Sequence, residues 1–180
     1  MLGIPACCRK HFAAHASLAQ SEQNDFSGFI RTQDGIDRWS LHYGQYFGYG
    51  LVSHFPCSFA CPKTAALAKS NWQTLKAIAP AFATTFESYQ DAAYLYTEYD
   101  GVYAFFSVAP TNDRGGWQYD NKRIEATQQG LLFEIIRHGD VIIRGDDGQL
   151  RIYAEGRLLT ILPDSQIQAC FPDQKADLKA

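Results

Sequence analysis

The chain has 180 residues, a formal net charge of −3, and 46% apolar against 19% charged residues. That balance is globular and excludes a disordered chain, and without a basic excess it argues against nucleic acid as a partner. No segment reaches the roughly 20 apolar residues of a membrane span, which argues against a membrane partner as well.

A chain of this length can bury roughly 70% of its unfolded surface, so it needs no covalent staple to fold. The opening stretch MLGIPACCRKHF has no early positive charge and no apolar run, so it does not read as a signal peptide. The expected compartment is therefore the cytosol, where thiols stay reduced. The chain contains 5 cysteines, an odd number that fits a disulfide framework poorly. Clustered cysteines in a reducing compartment point instead to metal or redox chemistry.

In chain order, the first expected element is a helix over Cys7–Leu18, opened by Pro5 and carrying His11 and His15 at helical spacing. The next stretch, aromatic and punctuated by glycines, suggests a helix over Ile36–Phe47. The clearest helix spans Pro62 to Ala79. Ala65, Ala68, Trp72, Leu75 and Ala79 recur in steps of three and four, Pro62 suits the first turn, and Pro80 marks the stop. A shorter helix is expected over Ala81–Tyr89.

From about residue 93 the pattern changes to β-rich runs broken by turn dipeptides. Asp100-Gly101, Gly139-Asp140, Asp147-Gly148 and Glu155-Gly156 each divide such a run, which predicts antiparallel hairpins. Glu98 and Asp100 read as turn and surface charges. TNDRGGWQYDNKR, with Asp113, Arg114 and Trp117, reads as an exposed polar connection. The predicted class is α+β, with a helical, cysteine-bearing half over 1–92 packed on an antiparallel β-meander or small barrel over 93–172, and a polar tail over 173–180. The whole is expected to form one integrated domain.

The stretch SHFPCSFACPKT concentrates the chemistry. If Pro62 opens a helix, Cys57 and Cys61 lie in the loop entering its N-terminus, where unpaired N–H groups stabilise a thiolate. Pro56 and Pro62 stiffen the two ends of that loop. IPACC supplies two more thiols, Cys7 and Cys8, again just after a proline. Successive side chains on a helix diverge by about 100°, so one of this pair is expected to bind while the other packs nearby, unless each serves a different iron of a cluster. His54 is expected as a further nitrogen ligand or a donor beside the site. Cys170 stands apart and reads as structural.

The predicted cofactor is an iron–sulfur cluster, from the C-x3-C-P run, with zinc as the alternative. The leading functional expectation is a cytosolic metalloprotein, acting on a small-molecule ligand if a metal position stays open. One alternative is a cysteine-nucleophile enzyme, since Cys7 and His11 lie four apart and share a helix face. Another is a binding module in which the metal is structural. His42 reads as a core histidine or a pocket-lining one, while His15 and His138 carry no site role. GQYFGYG lacks both the lysine of a phosphate loop and the strand–turn–helix setting of a dinucleotide fingerprint.

Overall fold

The structure is a computed structural model that describes residues 3–21, 26–30, 35–111, 116–163 and 167–170. It divides into two compact units, 1–91 with 172–180, and 92–171. The class is α+β.

The first unit is helical. Helix α1 spans Ala6–Ser21, helix α2 spans Pro62–Ile78 and helix α3 spans Pro80–Asp91. α1 starts where expected because Pro5 leads straight into it, its carbonyl accepting from the Arg9 N–H at 3.0 Å. α2 carries Pro62 in its first turn, and the face anticipated from its periodicity is the protected one. Ala65 and Ala68 are buried, and Trp72, Leu75 and Ala79 are half-buried. Ala79, which precedes Pro80, leaves helical geometry at φ −148° and ψ 69°. A residue before proline is disfavoured in the helical region, so α2 and α3 separate there. Trp39, Leu51, Val52, Ala65 and Ala68 form the apolar cluster against which Trp72 and Phe86 pack.

Between α1 and α2 the chain is irregular. The helix expected over Ile36–Phe47 is instead a turn at Arg38–Ser40 and a short 3-10 helix, Tyr43–Phe47, stopped by Gly48 at φ 85°. Glycines and aromatic rings crowd this segment, and a 3-10 turn needs fewer consecutive helix-forming residues than an α-helix.

The second unit holds nine strands and one helix among the described residues. The strands are β1 (Ala93–Thr97), β2 (Gly101–Phe105), β3 (Val108–Pro110), β4 (Gly116–Tyr119) and β5 (Ile124–Ala126), then β6 (Val141–Arg144), β7 (Leu150–Ala154), β8 (Arg157–Leu162) and β9 (Ile167–Cys170). They form two sheets, β5-β2-β1-β9 and β3-β4-β6-β7-β8, with antiparallel pairing throughout. Neither sheet is a closed barrel, so the barrel alternative is set aside.

Three of the four anticipated breaks are hairpin turns. Gly101 has φ 92° and pairs with Thr97 across the first. Gly148 has φ 79° in the turn between β6 and β7. Glu155 and Gly156 both have positive φ, 49° and 79°, as a type I′ turn between β7 and β8 requires.

The fourth break differs. LLFEIIRH, read as a strand before Gly139, is helix α4, Leu131–His138. Leu132, Phe133 and Ile136 face inward on one side of it while Leu131 is exposed. Glu134 in the first turn and Arg137 and His138 in the last suit the helix dipole. A short apolar run with β-branched residues satisfies either period, and packing chose the helix. The polar connection also carries more regular structure than expected, because Trp117 lies on β4. Asp113 and Arg114 fall outside the described residues. The core of this unit joins α4 to both sheets, with Leu95, Tyr103 and Phe105 from one and Tyr119, Ile142, Leu150 and Ile152 from the other. Cys170, the last residue of β9, is fully buried beside Tyr94.

Candidate metal centre

Two helix starts in the first unit build one site. Cys7 and Cys8 occupy the first turn of α1, and Cys61 is the N-cap of α2. A tight turn delivers the second segment: the Cys61 N–H donates to the Ser58 carbonyl at 3.1 Å, and the Ala60 N–H to the Ser58 hydroxyl at 3.1 Å. This folds Cys57 and Cys61 back toward each other. The turn is anchored from outside by the Ser40 hydroxyl, which donates to the Cys61 carbonyl at 2.8 Å, and by the Asp37 N–H, which donates to the Phe59 carbonyl at 2.8 Å.

The sulfur atoms of Cys7, Cys8, Cys57 and Cys61 all lie within 4.8 Å of one another. Cys7 is 3.9 Å from Cys8 and 3.8 Å from Cys61, and Cys8 is 3.8 Å from Cys61. All four are free thiols; Cys8, Cys57 and Cys61 are buried and Cys7 is half-buried. Four thiols so placed could hold a metal ion. No protein-family model, curated protein or solved structure matches the chain. What the site does must therefore be read from its chemistry.

The vicinal pair behaves differently from expectation, since both Cys7 and Cys8 point into the group. Divergence of about 100° between neighbours on a helix separates two sulfurs by no more than the width of an ion site when both side chains lean toward a common centre. The third sulfur, Cys61, lies at the same distance from each of them.

His54 does not join the sulfur group. It is 8% exposed, and its Nε2 lies 3.1 Å from the Thr64 hydroxyl, which in turn lies 3.4 Å from the Cys8 sulfur. Burial pushes the His54 pKa down, so the ring is neutral, and its Nε2 shares a hydrogen bond with the Thr64 hydroxyl. In the tautomer in which Nε2–H donates, Thr64 can give its own hydroxyl proton to sulfur. His11 is also placed apart from the role foreseen for it. Its Nε2 donates to the Phe29 carbonyl at 2.8 Å, and its ring sits 4.3 Å from that of His15. Cys7 meets Cys8 and Cys61 instead. His42 is buried among Tyr43, Phe55 and Phe59 as an aromatic-core histidine.

The thiols are electrostatically unequal. Burial raises the Cys61 pKa, but the hydroxyl and backbone N–H of Thr64 and the Cys7 and Cys57 thiols outweigh it, holding Cys61 down at about 7. Burial pushes Cys57 up, and the charges of Cys8 and Cys61 add to that. Burial likewise raises Cys8, against lowering contacts from the Thr64 hydroxyl and the Cys57 backbone. Cys61 is therefore the first of these buried thiols to ionise, at a helix N-terminus where negative charge is favoured. In the second unit, burial raises Cys170 strongly, so it stays a neutral thiol.

Thr64 was not singled out from the sequence. The signal was present in CPKT, because a residue three after the N-cap lies at N3, where its N–H faces the capping side chain.

Proposed function

We propose that Cys7, Cys8, Cys57 and Cys61 bind one tetrahedral metal ion, zinc in the resting protein, which clips the start of α1 to the start of α2. The reading makes this a metalloprotein whose metal is structural. One observation carries it: the sulfur spacing. A tetrahedron with metal–sulfur bonds of about 2.3 Å has edges of about 3.8 Å, against the 3.8 and 3.9 Å between thiols here.

The same spacing favours a single ion over an iron–sulfur cluster. A cluster distributes its thiolates over several irons and asks for a wider group than four sulfurs within 4.8 Å. An all-thiolate set also fills the four positions of a structural site, whereas a catalytic zinc keeps one for water or substrate. That supports a binding or assembly module over an enzyme acting on a small molecule. Four thiolates around a divalent ion leave excess negative charge, and the positive ends of α1 and α2 are placed to offset it. When bound, the ion would supply cross-linking and no reaction step.

Elemental analysis and a visible spectrum of anaerobically purified protein test this. The expected result is one zinc per chain and no visible absorption, with cobalt substitution giving the intense bands of a tetrahedral thiolate site. Iron with acid-labile sulfide would overturn the single-ion reading in favour of the cluster, and a metal-free protein that takes up no cobalt would overturn both.

A further inference from the structure

The four thiols differ in one respect that their spacing does not reveal. Cys8, Cys57 and Cys61 are 1%, 6% and 3% exposed, whereas Cys7 is half-buried. A reagent from solvent therefore meets the group at Cys7 first. The neighbours of Cys7 decide which thiol can pair with it. Cys8 is 3.9 Å away but adjacent in the chain. Across a trans peptide, consecutive Cα atoms are about 3.8 Å apart, short of the roughly 4.4–6.8 Å that a relaxed disulfide spans. Cys61 is 3.8 Å away and 54 residues along the chain, free of that restriction.

We propose that Cys7 is an oxidation site, at which hydrogen peroxide converts the metal clip into a Cys7–Cys61 disulfide and expels the ion. The inference rests on the single-ion reading of the site. In the first step the Cys7 thiolate attacks one peroxide oxygen and the O–O bond breaks. Sulfur gives up two electrons, becoming a sulfenic acid, and the other oxygen leaves as hydroxide. In the second, the Cys61 thiolate attacks the Cys7 sulfur, the S–O bond breaks and a second hydroxide leaves. Two thiolates and one peroxide thus become one disulfide and two hydroxides. The ion loses two of its four ligands, and Cys8 and Cys57 alone do not retain it. Because the disulfide joins the first turn of α1 to the N-cap of α2, it ties together the same two helix starts that the ion held. Oxidation exchanges one cross-link for another, so the protein loses its metal without losing the connection. Cys170, fully buried in the other unit, takes no part.

The experiment treats zinc-loaded full-length protein with one equivalent of hydrogen peroxide, follows free zinc with a chromogenic chelator, and maps disulfides by fragmentation mass spectrometry. Zinc release in step with a Cys7–Cys61 bond is expected, reversed by thiol reductant and re-added zinc. Cys7→Ser should slow release at least 10-fold if it retains zinc, and Cys170→Ser should match wild type. Should Cys7→Ser hold no zinc, the mapping on wild-type protein decides by itself. A first disulfide that omits Cys7, or zinc that survives a tenfold excess of peroxide, overturns the inference and leaves the metal reading intact. Protein that never binds zinc overturns the metal reading instead.

Discussion

The two units differ in what fills part of their interiors. The β unit has an interior of eleven buried residues drawn from both sheets and α4, aromatic and branched side chains included. Such a core stabilises through buried area, because each large side chain fully removed from water contributes about 1.5–3 kcal/mol. The helical unit also buries apolar side chains, the large Tyr43 and Phe59 and the five residues around Trp39 among them, and beside these it has a cluster made of the cysteines themselves, Cys8, Cys57 and Cys61 with Ile4 and Cys7 packed against it. Where three thiols stand in place of larger aliphatic side chains, local apolar burial is smaller, and the proposed ligation would add a cross-link there. With the proposed metal in place, the comparison teaches that a metal bond at the cysteines adds, in one unit, to the apolar burial that both units share.

The most direct way to break this comparison is to remove the proposed metal. Chelation should cost α1 and the segment from Cys57 through α2 on the order of 100-fold in amide-exchange protection, since ion binding to the folded form alone is folding energy. Strands β1, β2, β6 and β7 should keep their protection. Exchange measured by mass spectrometry with and without chelator checks this, and uniform loss across both units would sink the distinction. Cys61→Ser and Cys8→Ser should each behave like the chelated protein and lose most bound zinc.

The reciprocal perturbation is a cavity in the β core. Ile136→Ala, on the buried face of α4, should destabilise the β unit by about 2–5 kcal/mol, the cost of emptying a packed aliphatic site. Zinc content should not change, and a joint loss of metal would mean that the units are not energetically separate.

The hydroxyl of Thr64 sharpens the account of the site. It lies between His54 and Cys8, so Thr64→Val should weaken metal affinity about 10- to 100-fold, as loss of a partner that orients a ligand commonly does. Thr64→Ser should restore most of it. Competition with a chelator of known affinity reads both. If valine and serine bind equally, the hydroxyl is merely packing.

The smallest effects belong to the β turns and to the isolated thiol. Gly156 sits at φ 79° with open space around it, so Gly156→Ala should lower thermal stability by about 1–2 kcal/mol, the steric cost of left-handed backbone. Cys170→Ser buries a hydroxyl where a thiol was neutral, at a cost of about 1–3 kcal/mol. Its metal content should equal wild type, which separates Cys170 from the other four.

Much of the fold was legible because its signals are local. The three- and four-residue steps from Ala65 to Ala79 act within single turns of α2, and Pro62 and Pro80 bound it through their own backbone restrictions. Asp100-Gly101, Asp147-Gly148 and Glu155-Gly156 announce hairpins because a positive φ is a property of the turn itself. LLFEIIRH failed for the converse reason. Its run satisfies both periods, and only Leu132, Phe133 and Ile136 meeting a sheet core made it helical. The division of nine strands into two sheets was equally hidden, since β5 pairs with β2 and β9 with β1 across long stretches of chain.

The site divides in the same way. The sequence by itself determined that Cys57 and Cys61 converge, because a tight turn between two prolines and a helix start leaves their side chains little choice. It determined too that Cys7 and Cys8 open a helix. Tertiary structure decided that those two helix starts meet, that both vicinal sulfurs turn inward, and that His54 stops one hydroxyl short of the group. Backbone preference acts over a few residues, whereas bringing residue 8 against residue 61 depends on every contact that folds the chain between them.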